Sequence, residues 1–231
     1  MTLSIIWLII GSCLGSIINV MAMRIPANRN WITGHSQCEH CGHRLSYREM
    51  VPVISYVIQK GRCRCCNHRI SLRYPLTELI MGVLTVLLYV KYEGAAFFLR
   101  EIYICILFLM ALIDRDTMEV PVIALTLETI VSMMVFCTER HELSVMVYGL
   151  LETALPASIC SMMGYMGGAD VLIIMSGSLL FESSERIVIS YLFSLIAGCL
   201  FGMMLRCRNK KTDRIPFIPC LWLVYSLLII Y

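Results

Sequence analysis

The stretch Met166-Gly167-Gly168-Ala169-Asp170 lies between two strongly apolar runs and places a carboxylate at the start of the second run. A lone carboxylate is costly to bury in an apolar environment, so Asp170 needs either a structural or a chemical explanation. The structural explanation is a helix cap, because an aspartate at the start of a helix accepts hydrogen bonds from backbone N–H groups. The two glycines predict a tight bend and the close approach of another helix.

A second acidic cluster, Leu112-Ile113-Asp114-Arg115-Asp116, ends another apolar run and is followed by Val120-Pro121. Two acidic clusters at the ends of membrane helices can face each other as a carboxylate pair. Such a pair can hydrolyse a peptide bond, since one carboxylate activates water while the other donates a proton. The two clusters therefore favour a chemical explanation for Asp170.

The composition of the 231-residue chain indicates a membrane protein. Hydrophobic residues make up 58% of it and charged residues only 15%, whereas a soluble domain carries about 25% charged residues. Apolar runs of roughly 17–20 residues recur, which is long enough for a helix to cross a bilayer core. We predict an all-α polytopic membrane protein with about eight transmembrane helices. The expected spans are roughly 3–23, 75–91, 98–114, 119–137, 144–164, 170–182, 186–206 and 215–231.

Lysine and arginine predict the orientation of these spans. If the spans alternate, fifteen of the basic residues lie on one side of the membrane and four on the other. Cytoplasmic loops carry the excess of Lys and Arg. This predicts that segments 24–74, 115–119 and 207–214 and both acidic clusters are cytoplasmic, and that both termini are periplasmic. The first span is expected to be a retained anchor, because no small-residue cleavage site follows it.

The polar segment 24–74 contains an internal repeat. Cys38-Glu39-His40-Cys41-Gly42-His43-Arg44-Leu45 is echoed by Cys63-Arg64-Cys65-Cys66-Asn67-His68-Arg69-Ile70. Paired Cys-x2-Cys motifs supply the four thiolates that zinc prefers in tetrahedral geometry, and a reducing cytoplasm disfavours disulfides. We predict a small zinc-ribbon-like insertion that binds no nucleic acid, since no aromatic stacking platform is evident. The preferred metal ligands are Cys38, Cys41, Cys63 and Cys66.

The ligand set has alternatives within the same repeat. Cys65 could take the place of Cys63, and His43 or His68 could in principle replace a thiolate. We expect the histidines to lie beside the metal or on the surface instead.

These motifs together resemble the type IV prepilin peptidases, a family of polytopic membrane aspartyl proteases. The family pattern is Gly-x-Gly-Asp in one membrane region and a partner aspartate about seven residues before a proline. Here Ala169 replaces the second family glycine, and Asp114 stands seven residues before Pro121, which favours it over Asp116. Asp116 is predicted to be a solvated loop residue. The family also has a four-cysteine cytoplasmic domain between its first two spans.

Three further segments carry the resemblance. Gly15-Ser16-Ile17-Ile18-Asn19-Val20 is similar to a family motif in the first span, and Arg73-Tyr74-Pro75-Leu76-Thr77-Glu78-Leu79 to one after the cysteine domain. Ile215-Pro216-Phe217-Ile218-Pro219 matches a third motif, except that Ile218 replaces a family glycine. Val122 likewise replaces a common acidic residue after the proline. These departures leave the class intact, and the resemblance assigns no role to those two positions.

The resemblance implies a membrane endopeptidase in the bacterial inner membrane, with Asp114 and Asp170 as catalytic residues. It would cleave the leader peptide of type IV prepilins or pseudopilins at the cytoplasmic face, so its partners are a substrate helix and the lipid bilayer. Many members also methylate the new N-terminus with S-adenosylmethionine, and Glu78 and Gly82 match the region associated with that activity. The implied domains are a first transmembrane helix (1–23), a zinc-binding domain (24–74) and a transmembrane protease domain (75–231).

Two other functions remain open at this point. Glu128 and Glu152 lie inside predicted spans, where carboxylates face the bundle interior or carry a proton. With Asp114 and Asp170 they could form the path of a proton or ion transporter that carries a zinc ribbon. The chain could also be a noncatalytic membrane scaffold whose ribbon docks a partner. Loss of prepilin processing on removal of either aspartate would separate the peptidase from both.

Overall fold

The computed structural model describes residues 2–139, 142–164, 166–207 and 215–231. It divides into two compact units, Met1–Lys91 and Tyr92–Tyr231. Most of the predicted basic loop 207–214 lies outside the described residues, as does Arg140. The described residues contain helices and isolated β-bridges but no strands, which confirms the predicted all-α class with a small cysteine-bearing insertion.

The first unit contains two long helices, α1 (Thr2–Arg24) and α3 (Arg73–Lys91), with a short helix α2 (Ile54–Ile58) between them. Small residues allow α1 and α3 to approach closely. A Cβ atom on Gly15 would lie 2.9 Å from the Cα of Glu78, and one on Gly82 would lie 2.9 Å from the carbonyl oxygen of Leu8. The structure thus groups α3 with α1, whereas the sequence analysis assigned it to the protease domain.

The cysteine-bearing insertion consists of two turns that fold alike, as the repeat predicts. An antiparallel bridge closes each turn, Gln37 with Arg44 and Arg62 with Arg69. In the first turn the Cys38 N–H donates to the His43 carbonyl, and in the second the Cys63 N–H donates to the His68 carbonyl, both at 2.9 Å. Each turn also needs a left-handed residue at the same point, and Gly42 and Asn67 fill it with φ of 69° and 57°.

The second unit is helical throughout its described part. Its elements are α4 (Gly94–Thr117), α5 (Val122–Glu139), α6 (Leu143–Gly149), a π-helical turn (Leu150–Ala154), α7 (Leu155–Met162), α8 (Gly168–Gly177), α9 (Ser184–Cys207) and α10 (Ile218–Ile230). The π-helical turn interrupts the predicted span 144–164. It immediately precedes a helix with Pro156 in its first turn, and a proline has no N–H to donate to the carbonyl four residues earlier.

Six helices in the described ranges are long and apolar enough to cross a membrane, and two more are apolar but shorter. The chain is therefore a membrane protein, but the eight predicted spans are not equal. The shorter segments, Gly168–Leu180 and Ile218–Ile230, reach only about 20 Å at 1.5 Å per residue. The last predicted span, 215–231, loses its first turn because α10 begins at Ile218, with Pro219 in the first turn where a proline is tolerated.

Candidate functional site

Asp114 lies on the last turn of α4 and is buried, with 8% of its surface exposed. One oxygen of its carboxylate accepts a hydrogen bond from the backbone N–H of Ile218 at 3.2 Å. Ile218 is the first residue of α10, whose N-terminal N–H groups have no partner within the helix. Asp114 therefore supplies an acceptor to the start of a neighbouring helix, and that contact holds its carboxylate in place.

Asp170 is the third residue of α8, and it is partly buried. Its carboxylate accepts a hydrogen bond from the backbone N–H of Gly167 at 3.1 Å. The expected structural role is thus present in a modified form: Gly167 is the N-cap residue, and Asp170 reaches back to it from the first turn, as the acidic residue of a capping box does. This contact occupies one carboxylate oxygen and leaves the other for a different partner.

The structure brings the two carboxylates together at one end of the second unit. Asp114 and Asp170 are close enough for Coulombic interaction, and the buried thiol of Cys220 on α10 is within the same range of both. Both carboxylates also accept a hydrogen bond from a backbone N–H at the start of a helix. An acidic pair beside two helix N-termini is suited to hold a charge that moves between its members.

Asp116 differs from Asp114 as the sequence predicts, although it lies on α4 and not in a loop. Its side chain is exposed and accepts a hydrogen bond from Arg115 Nε at 3.1 Å. The expected close helix approach at Gly168 is absent among the described residues, because a Cβ atom built there would meet nothing within 4 Å. The space beside Gly168, at the start of α8, is therefore open among the described residues.

The four predicted metal ligands converge in the first unit. The Sγ atoms of Cys38, Cys41, Cys63 and Cys66 all lie within 4.8 Å of one another. Across the two turns, Cys38 and Cys66 are 3.9 Å apart and Cys41 and Cys63 are 4.0 Å apart. Four thiolates at 2.3 Å from a tetrahedral zinc ion would be about 3.8 Å from one another. The residues present thus fit zinc with little rearrangement.

The surroundings of the cluster favour the thiolate form at the first cysteine of each turn, Cys38 and Cys63, whereas the pKa values of Cys41 and Cys66 are raised. Backbone hydrogen bonds from Cys41 and His40 hold the pKa of the Cys38 thiol at about 7, below its usual value. The equivalent Cys63 also has a lowered pKa, first because of the backbone of Cys66. A thiolate is the form that binds a metal. The cluster contains Cys63 and not Cys65, and it contains neither His43 nor His68.

Glu49 is a buried acidic residue that contacts both turns of the insertion. Its buried carboxylate accepts hydrogen bonds from the N–H and the hydroxyl of Ser46, at 2.9 and 2.7 Å. These bonds, followed by the nearby His43 and Arg64, hold the pKa of Glu49 below its usual value. Since His43 and Arg64 belong to different turns of the repeat, Glu49 connects the two.

Glu78 and Gly82, the two residues of the predicted methyl-transfer region, occupy different environments. The buried Glu78 carboxylate accepts a hydrogen bond from the N–H of Val53 at 2.7 Å. Val53 has a φ of 60° and lies at the centre of a strained γ-turn, closed by the Ile54 N–H and the Pro52 carbonyl. Gly82 packs against α1, which accounts for a glycine there without a ligand.

An open cavity of about 890 Å³ lies within the first unit. Glu78 lines it, together with Asn19, Arg29, Tyr56 and other residues of the insertion and of the adjoining ends of α1 and α3. Asn19 is 2% exposed, and its amide donates to Thr77 Oγ1, while its Oδ1 oxygen has no hydrogen-bond partner among the described residues. The cavity thus combines a buried carboxylate with an unused acceptor.

Several residues at these sites were not identified from the sequence. Cys220 and Ile218 meet the acid pair only through the fold: no motif marks Cys220, and the motif around Ile218 does not indicate its contact with Asp114. Glu128 is fully buried against Ser176, as expected for a carboxylate in a span, whereas Glu152 lies exposed on the π-helical turn. The sequence signal that could have revealed the contact of Glu128 is Ser176, because a hydroxyl in an otherwise apolar helix needs a hydrogen-bond partner.

Similarity to known proteins extends over both units, but the family model matches the first unit only. The family model of the bacterial Peptidase A24 N-terminal domain matches residues 9–92. A prepilin leader peptidase/N-methyltransferase of Bacillus subtilis is 28% identical over 227 residues, 92% of this chain and 88% of the relative. One from Myxococcus xanthus is 38% identical over 76 residues, 33% of this chain and 23% of the relative. One from Pseudomonas putida is 32% identical over 136 residues, 49% and 47% of the two chains.

No solved structure matches the chain. The match to the B. subtilis relative extends across both units, and the family model ends at the boundary between them. Over both units the chain is therefore similar to a prepilin leader peptidase/N-methyltransferase, and its cysteine-bearing unit matches the Peptidase A24 N-terminal domain.

Proposed function

We propose that the protein is a membrane aspartyl endopeptidase that cleaves the leader peptide of type IV prepilins or pseudopilins. The observation that carries the proposal is the meeting of Asp114 and Asp170, which lie 56 residues apart in the chain and interact through their charges. The names of the similar proteins, prepilin leader peptidase/N-methyltransferases, agree with this activity. The charge distribution of the loops favours cleavage at the cytoplasmic face of the bacterial inner membrane.

The pair can hydrolyse a peptide bond if it holds one proton between its two carboxylates. The ionised carboxylate removes a proton from a water molecule, and the resulting hydroxide attacks the scissile carbonyl carbon. The protonated carboxylate donates its proton to the carbonyl oxygen and, as the tetrahedral intermediate collapses, a proton passes to the leaving amine. Two close carboxylates resist simultaneous ionisation, so they titrate as one unit. The open space at Gly168 would let the substrate backbone approach the start of α8, two residues before Asp170.

The test is prepilin processing by equal amounts of folded variants in membranes. Asp114→Asn, Asp170→Asn and the double variant should each lose cleavage to the same extent, because residues that act as one unit are not additive. Asp116→Asn, a matched change two residues away on the same helix, should retain most activity because its side chain is exposed. Full cleavage by Asp170→Asn would end the aspartyl-protease proposal and favour the transporter.

A second activity, N-methylation of the cleaved product with S-adenosylmethionine, is favoured by the cavity in the first unit. The two substrates of such a transfer need a shared site, and this cavity offers about 890 Å³. The carboxylate of Glu78 could bind a cationic ligand there, and the Asn19 Oδ1 oxygen could accept one hydrogen bond. When bound, S-adenosylmethionine would supply the methyl group to the amine. The bound zinc proposed at the four cysteines would hold the insertion that forms much of the cavity wall.

Methyl transfer can be tested apart from cleavage by using a substrate that already lacks its leader. Glu78→Gln should lower methyl incorporation from labelled S-adenosylmethionine at least about tenfold, because loss of a buried charge contact costs about 1.5–3 kcal/mol. Glu93→Gln, an exposed change outside the cavity, is the control. Unchanged methylation by Glu78→Gln would remove the residue from this site, and equal loss in cleavage would indicate a structural defect.

A further inference from the structure

A buried cluster of polar side chains lies inside the second unit and has no part in the chemistry proposed above. At its centre is Glu128 on α5, which is fully buried. The hydroxyl of Ser176 on α8 lies 2.7 and 2.8 Å from the two oxygens of this carboxylate. The contact therefore joins α5 to α8, the helix that carries Asp170.

Three more side chains complete what we call the Glu128 cluster. Ser132, one turn later on α5, donates to the carbonyl oxygen of Glu128 at 3.1 Å. Tyr103 on α4 and Tyr225 on α10 are also fully buried, and both lie within Coulombic range of the carboxylate. The Tyr103 hydroxyl faces the carboxylate from α4, but its geometry falls short of a hydrogen bond. Among the described residues, the contact with Ser176 is the one of hydrogen-bonding geometry that joins the carboxylate to another helix.

The cluster is costly, which means that stability alone does not account for it. A buried carboxylate in an apolar setting loses its hydration, and apolar residues of similar size often replace buried charged groups at no loss of stability. A directional hydrogen bond offers something that apolar packing does not. It selects one arrangement of two helices over others of similar energy.

The helix α8 needs such selection. It is only 10 residues long, and Val171-Leu172-Ile173-Ile174-Met175 is apolar on every side, so burial of an apolar face defines its rotation poorly. Ser176 supplies a polar side chain at the end of this apolar stretch, and its hydrogen bond to Glu128 favours one rotation of the helix. Asp170 stands six residues earlier on the same rigid helix, about 9 Å along the axis. A rotation of α8 about its axis would therefore displace the Asp170 carboxylate.

A second contact, between Gly177 of α8 and Tyr225 of α10, also restricts the rotation of α8. A Cβ atom on Gly177 would lie 2.7 Å from the Cζ and hydroxyl oxygen of Tyr225 on α10. The aromatic ring therefore packs directly on the backbone next to Ser176. The end of α8 is held between a hydrogen bond to α5 and a ring on α10.

We propose that Glu128 is a positioning residue for the acid pair: through its hydrogen bond to Ser176 it sets the rotation and depth of α8, and thereby the placement of Asp170 against Asp114. The proposal rests on the peptidase function proposed above. Glu128 touches neither aspartate and acts only through the helix.

The kinetic test compares changes at both ends of the hydrogen bond. Glu128→Leu and Ser176→Ala should lower kcat about ten- to a hundredfold, since a small misplacement of a reacting group costs up to about that much. KM should stay within about twofold, because substrate binding does not use this contact. Glu128→Gln should restore most of kcat, since an amide oxygen still accepts from Ser176. Ser178→Ala is the matched control: its buried hydroxyl bonds the Met175 carbonyl at 2.6 Å, within its own segment.

A measurement without substrate separates this proposal from the peptidase itself. Amide hydrogen exchange of residues 168–177 should quicken in Glu128→Leu and Ser176→Ala and stay at the wild-type rate in Glu128→Gln and Ser178→Ala. Unchanged exchange, or wild-type kcat, in Ser176→Ala would overturn the proposal; this small truncation serves even if Glu128→Leu fails to fold. If the wild-type protein cleaved no prepilin, only the proposed peptidase function would be overturned. The hydrogen-exchange rates test the contact between Glu128 and Ser176 independently of cleavage.

Discussion

At the scale of single residues, the cysteine cluster offers a sharp test, because Cys63 lies in the cluster and Cys65, two residues later, does not. Cys63→Ser should lose the bound metal, since it removes one of four converging ligands, whereas Cys65→Ser should keep it. Metal analysis of the purified wild-type protein should give about one zinc per chain. Because metal binding contributes to the free energy of folding, loss of one ligand should lower the unfolding temperature of Cys63→Ser.

Two results would contradict this assignment. Zinc content equal to wild type in Cys63→Ser would show that another group takes the ligand position, and loss of zinc in Cys65→Ser would move the site by two residues. Absence of any metal from undamaged wild-type protein would remove the zinc proposal. Prepilin cleavage is the internal reference, because the acid pair belongs to the other unit.

Residue identities within motifs could be predicted from the sequence, whereas partners brought in from other helices could not. The Cys-x2-Cys spacing predicts the four converging thiols because the ligands of each turn are local. The spacing to Pro121 separates Asp114 from Asp116, and the structure buries the first and exposes the second. The Ile218 N–H and the Cys220 thiol reach Asp114 from more than a hundred residues away in the chain, and a single sequence has no local pattern for such contacts.

At the scale of elements, the packing of α1 on α3 can be tested with the same side chain placed on opposite faces. Gly15→Val should destabilise the first unit by about 1–3 kcal/mol, because overpacking a tight contact forces the backbone apart. A Cβ atom there already lies 2.9 Å from the Cα of Glu78, and backbone atoms cannot yield. Cys13→Val, which points to the exposed face, should change stability little.

Thermal unfolding of both variants in detergent gives the measurement, with hydrogen exchange of α3 as a local readout. If Gly15→Val and Cys13→Val unfold at the same temperature, the close contact between the two helices is not present in the protein. Faster exchange in α3 of Gly15→Val alone would support it.

Helices were predictable at this scale because apolar runs of spanning length are visible in the sequence. The breaks within them were not. The π-helical turn at Leu150–Ala154 depends on how the backbone adapts to Pro156, and the start of α10 at Ile218 depends on where Pro219 is accommodated. The rotation of α8 was equally hidden, since its sequence is apolar on all sides and its one polar partner lies on another helix.

At the scale of the whole molecule, orientation in the membrane is the property that charge alone predicts. Cys65 is exposed in the insertion and lies outside the metal cluster, so it can report on the side without disturbing the site. A membrane-impermeant maleimide should label it in inverted vesicles and not in intact spheroplasts. The Cys65→Ser variant should lack that signal and so controls for labelling of the other cysteines. Labelling of Cys65 from the periplasmic side would reverse the orientation.

The division of the chain into units follows packing, which the sequence does not display. The sequence analysis divided the chain into 1–23, 24–74 and 75–231 where polarity changes, and that functional division stays a prediction. The compact units of the structure meet after Lys91, because α3 packs against α1 through Gly15 and Gly82. Pairing between helices far apart in the chain depends on shape complementarity, which composition does not register.

The contact between Gly177 and Tyr225 has a consequence for how this chain can diverge. A larger residue at 177 would collide with the tyrosine ring, and a smaller residue at 225 would leave a void beside the glycine. Neither position can drift alone without passing through a less fit intermediate. We expect that, in related chains with a larger residue at 177, the tyrosine at 225 was replaced by a smaller residue before the glycine changed.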